Sequence, residues 1–112
     1  MKKSKEMRIY IHTLDPKQLE VLIFKSVEKT LETWEIKKSK KGDFYLTPIS
    51  SQYNNIVLLQ LYASKEKLTV YHTYWTNVKK PTDAVNAIVL GMFTATLLTH
   101  FGNDFTKLEL TK

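Results

Sequence analysis

The chain contains no cysteine, three glycines, three prolines and a single arginine, Arg8, against 16 lysines. Without cysteine there is no disulfide framework, no thiolate metal site and no thiol nucleophile. That absence fits a reducing compartment, and a cytoplasmic location is the expectation. Gly42, Gly91 and Gly102 stand too far apart to form a phosphate-cradling loop. Behind the basic start MKKSKEMRIYI there is no apolar run of signal-peptide length. The most apolar stretch, residues 84–101, is interrupted by Asn86, Thr94, Thr96, Thr99 and His100. It is short for a bilayer span and reads as a buried helix, so no membrane partner is expected.

Catalytic patterns are also missing. His12, His72 and His100 fall on different predicted elements without metal-ligand spacing, and no serine or threonine sits in a nucleophile-elbow pattern. His100 and Asp104 are separated by the predicted helix stop at Gly102, and a histidine in a last helical turn serves the helix dipole. The acids lie at predicted caps and on a lysine-rich helix face, the pattern of a solvated surface. The expectation is therefore a non-enzymatic protein with no metal and no cofactor.

What is present is positive charge and aromatic residues. The net charge is +6 and the pI about 9.5, which favours an anionic partner, either nucleic acid or an acidic protein surface. Lysine acts as a point charge where arginine reads bases and phosphates with a planar fork, so attraction to nucleic acid would be sequence-tolerant.

The length, 112 residues, suits one domain, with residues 1–6 as a frayed basic tail. Residues 7–13 alternate as a half-buried strand. In LDPKQL, Asp15 is placed to cap a helix, Pro16 fits its first position, and Leu14 and Leu19 are spaced for a hydrophobic staple. The helix carries Leu19, Leu22, Ile23, Val27, Leu31 and Trp34 along one stripe. A hairpin follows over 35–38 and 44–47, turning through Lys40, Lys41 and Gly42. A second hairpin pairs 56–63 with 68–75. Thr82 or Asp83 caps a second helix to about Phe101, with Gly102 as a left-handed stop. Residues 105–112, FTKLELTK, close the chain as a strand.

The fold class is α+β: a mostly antiparallel sheet, in the order β-α-β-β-β-β-α-β, with two helices on one face. If the first hairpin is an insertion, the remaining βαββαβ order resembles a ferredoxin-like sandwich. The helix–meander–helix order is also similar to that of secretion-chaperone folds.

In the second hairpin, a turn centred on Lys65 and Glu66 splits the ring-rich stretch KLTVYHTYW by alternation. Val70, His72 and Tyr74 join an aliphatic face with Val57, Leu59, Leu61 and Leu68, which should meet the helices. Tyr71 and Trp75 join Tyr62, Gln60 and the threonines on the other face. Arg8, Tyr10 and His12 of the first strand, and Tyr45, extend that second face.

Two readings follow. In the leading one the aromatic face binds single-stranded nucleic acid: Tyr10, Tyr62, Tyr71 and Trp75 stack on bases, and Arg8, Lys38, Lys40, Lys41 and Lys67 attract phosphates. In the alternative, the chain is a protein-interaction domain (an adaptor, an inhibitor or a chaperone-like dimer) that uses the same face or the second helix against an acidic partner. That helix is apolar nearly all round, which points to a symmetric homodimer through Val89, Met92 and Phe93. A small-ligand pocket near His72 is a third, separate class.

Overall fold

A computed structural model describes residues 6–111. The expected basic tail, apart from Glu6, lies outside the described residues. Eight elements follow one another: β1 (Arg8–His12), α1 (Pro16–Lys29), β2 (Trp34–Lys38), β3 (Phe44–Pro48), β4 (Leu58–Ala63), β5 (Lys67–Thr73), α2 (Asp83–His100) and β6 (Lys107–Thr111). The strands form one antiparallel sheet in the order β2-β3-β4-β5-β1-β6. The protein is therefore α+β. The hairpin β2–β3 extends one edge of the same sheet and sends Trp34 and Leu46 into the core.

Local chemistry sets the element ends. Asp15 caps α1 by accepting from the Gln18 amide at 3.1 Å, and Pro16 occupies the first turn. The staple does not form, because Leu14 is 99% exposed. The helix ends at Lys29, so Trp34 does not continue its stripe but opens β2. Gly42 takes φ +97° at the tip of the β2–β3 hairpin, the left-handed conformation that glycine adopts without Cβ strain. Thr82 caps α2 through Val85 N–H. Gly102 does not adopt positive φ; the helix closes instead with Phe101 N–H on Leu97 O.

One hydrophobic cluster places both helices on the same side of the sheet. It joins Leu19, Ile23 and Val27 of α1 and Val89, Leu90, Phe93 and Leu97 of α2 to alternate strand residues. Those strand residues are Ile9 and Ile11, Leu46, Leu59 and Leu61, and Leu68 and Val70. Trp34 is buried edge-on against Phe93 at 5.2 Å, and its Nε1–H donates to Thr96 Oγ1 at 2.9 Å. An indole buried this deeply needs such an acceptor.

Val89 and Phe93, expected at a dimer interface, are thus fully buried in the chain's own core, and Met92 packs against it. The side of α2 that faces solvent is a different one, carrying Ala84, Ile88, Gly91, Ala95 and Leu98.

Candidate functional site

The second hairpin pairs in the expected register, with Leu58 opposite Thr73, Gln60 opposite Tyr71 and Tyr62 opposite Thr69. Since both helices lie on the Leu59/Val70 side, the other face carries no helix. β1 lies beside β5, with Arg8 opposite Tyr71 and Tyr10 opposite Thr69. Arg8, Tyr10, Tyr62, Lys67 and Tyr71 therefore share one contiguous patch on three adjacent strands, β4, β5 and β1. Tyr62, at 61% exposed, is its most accessible ring.

The two other tyrosines of the patch carry cations. Lys67 Nζ stands 4.0 Å from the Tyr10 ring centroid, and the Arg8 guanidinium carbon 5.2 Å from that of Tyr71. Both distances are within the range of cation–π attraction. Between them Thr69 is almost fully buried by its cross-strand neighbours. At the β6 side, His12 Nε2 donates to Glu109 Oε1 at 2.8 Å. This hydrogen bond, with Lys107 nearby, holds the Glu109 carboxyl below the usual carboxylate range. The face is basic across β5 and β1 and mixed in sign on β6.

Trp75, Lys40 and Lys41 gather elsewhere, at the β2–β3 end of the sheet, with Lys38 at their margin. The Lys38 side chain shares the helix side of β2 with Trp34 and Ile36, and its Nζ stands 5.6 Å from the ring of Phe44, which meets Phe24 of α1. Trp75 and the three lysines line a groove of about 670 Å³ together with Tyr45, Leu58, Thr73 and Tyr74. The hairpin tip over 39–43 forms one wall, and the segment that follows β5 forms the other. Trp75 meets Tyr45 edge-to-face at 5.6 Å, and its Nε1–H donates to Asn55 Oδ1 at 3.1 Å. Asn55 has φ +62°, and its N–H donates to Thr47 Oγ1. The Thr47 hydroxyl in turn donates to Val57 O. Asn54, beside it, donates to Pro48 O and to Glu35. The indole is therefore held by a chain of hydrogen bonds anchored in β3 and in the loop before β4.

Of the nine residues expected at the site, five form the tyrosine patch and Trp75, Lys40 and Lys41 the lysine–tryptophan groove, whereas Lys38 turns to the helix side, over Phe44. Tyr74, expected on the aliphatic face, lies beyond the end of β5 at Thr73 and lines the groove instead. Asn55 was not expected at the site; its only signal was an asparagine pair in a polar loop, a residue type that tolerates positive φ. His72 is half-buried on the helix side, and burial lowers its imidazole pKa from the ordinary value. His72 does not line the groove beside Trp75. Among the described residues no group of three or more His, Asp or Glu side chains is placed to hold a metal ion.

No protein-family model, no curated protein and no solved structure matches this chain.

Proposed function

We propose that the outer face of the sheet binds single-stranded nucleic acid in a sequence-tolerant way. The observation that carries this reading is that both helices pack on the opposite face, so that no helix covers Tyr10, Tyr62 and Tyr71, which lie among cationic side chains. Stacking a base on such a ring contributes ~1–3 kcal/mol, whatever the base. Arg8 and Lys67 already lie against two of the rings. A phosphate beside a stacked base would draw those cations off the ring face, so that the same movement uncovers the ring and pairs the charge.

Fluorescence anisotropy with labelled single strands and duplexes at low and moderate salt tests the proposal. Tyr62→Ala and Tyr71→Ala should each weaken single-strand binding by about 1–3 kcal/mol. Lys67→Ala should lower the slope of log affinity against log salt by roughly one. Absence of binding at low salt, or binding indifferent to both tyrosines, would overturn it.

A second reading, a protein-interaction domain, is favoured by the outward side of α2. Residues 84–99 contain no charge, and Ile88 and Leu98 are exposed there. A second copy meets such an uncharged stripe of a +6 chain without direct like-charge contact. Light scattering on the chain and on Leu98→Asp separates the readings: a dimer dissolved by this change supports association through α2, and a monomer in both cases removes it.

A further inference from the structure

The groove beside Trp75 differs from the rest of the face in being bounded, and its two walls carry complementary chemistry. Tyr45, Tyr74 and Trp75 supply an aromatic side, while Lys40 and Lys41 supply a cationic one. Asp43 also lines it, leaving an excess of positive charge among these side chains. The floor is the cross-strand pair Leu58 and Thr73. A volume of about 670 Å³ is that of a site for one compact ligand, within the ~300–1,000 Å³ of small-molecule sites.

Trp75 is fixed before any ligand arrives. Its only polar atom is engaged by Asn55, and its ring leans on Tyr45. The indole therefore offers apolar surface but no hydrogen bond with which to distinguish one base from another. Ordering the ring costs little on binding, because the Thr47–Asn55 chain has already set it. Lysines reach phosphate as point charges, without the directional fork of arginine.

Resting on the nucleic-acid reading above, we infer that this groove takes a single nucleotide unit, with the base against Trp75 and Tyr45 and the phosphate on Lys40 and Lys41. The unit is either a free mononucleotide or one residue of a strand lying on the tyrosine patch. Base and phosphate are both required, because each wall serves only one of them.

Nitrogen-15 NMR of the full chain, titrated with AMP, adenosine, inorganic phosphate and a short oligoadenylate, tests this. AMP should shift the Trp75 indole N–H and the amides of residues 39–43 together and saturably. Phosphate should move only the 39–43 amides, and adenosine should bind more weakly than AMP. Lys40→Ala combined with Lys41→Ala, at exposed positions that leave the core intact, should weaken AMP severalfold and leave adenosine unchanged. If AMP and adenosine both leave the Trp75 indole unmoved while the oligonucleotide shifts Tyr62 and Tyr71, the inference falls and the sheet-face reading stands. If AMP fills the groove and no oligonucleotide touches the tyrosine patch, the inference stands and the polymer reading falls. Equal binding of phosphate and AMP would also overturn it, since the aromatic wall would then contribute nothing.

Discussion

Asn55 Oδ1 accepts the Trp75 indole N–H at 3.1 Å across 20 positions of sequence, from a backbone held at φ +62°. A loop residue in a sparsely populated conformation thus positions the largest ring on the outer face. Asparagine enters the left-handed region at lower cost than other side chains that carry a Cβ, and its amide supplies the acceptor as well.

Replacing this residue separates the two contributions. Asn55→Gly keeps the backbone relaxed and loses the side chain's hydrogen bonds with Trp75 and Asn54, whereas Asn55→Ala loses the same bonds and adds strain of about 1–2 kcal/mol. Urea unfolding should rank the wild type above the glycine variant and the glycine variant above alanine. The indole N–H resonance of Trp75 should shift in both. Equal stability of the two variants would show that the φ angle carries no cost.

Within the core, Thr96→Val should destabilise by about 1–3 kcal/mol, because it leaves the buried Trp34 N–H without an acceptor. Thr96→Ser keeps the hydroxyl and should recover most of that loss. Chemical denaturation of both variants distinguishes lost hydrogen bonding from lost packing, since serine removes only the methyl.

Asn86 presents the opposite case. It is 4% exposed on the inward side of α2, and its Oδ1 has no hydrogen-bond partner among the described residues. Leucine is close in size and has no polar atom to desolvate, so Asn86→Leu should raise stability by about 1 kcal/mol. A fall in melting temperature on this change would show that the amide has a partner or a role that the apolar side chain cannot fill.

Acid should destabilise the fold through His72. Burial is the main cause that lowers its pKa, with Glu6 and Asp83 acting in the opposite sense. The unfolded chain then binds the proton more readily than the folded one. This group's contribution is fully present above its ordinary value of 6.5, and it declines as pH falls through 6.5 towards the lower folded value. Denaturant midpoints between pH 8 and 5 should fall for the wild type and flatten in His72→Gln. Glu109, also lowered, acts in a separate window: its contribution is present above its ordinary value of 4.5 and lost as pH falls below that.

Legibility followed the range of each interaction. The Asp15 cap, the Gly42 turn and the β4–β5 register depend on neighbours within a few positions, and they appear as the local pattern requires. The Leu14 staple failed for a longer-range reason: an N-terminal apolar contact forms only if the incoming chain bends over the first turn, and here Leu14 points to solvent. Alternation in the sequence continues through Tyr74 and Trp75 after the ladder has ended at Thr73, so β5 is shorter than its pattern. Trp75 still reaches the outer side, now placed by Asn55 rather than by strand pairing.

By itself the sequence determined that the sheet has one aliphatic and one ring-bearing face, because side chains of a strand alternate and a register slip would invert both. It also determined the absence of thiol chemistry and the positive balance. The tertiary structure alone decided that α1 and α2 share the aliphatic face, that Val89 and Phe93 are spent inside the core, and that Lys40 and Lys41 meet Trp75 across a groove. An apolar helix records how much surface it must bury but not against what, since the hydrophobic effect has no direction. The aromatic patch that strand alternation wrote into KLTVYHTYW became a candidate site only when both helices packed on its far side.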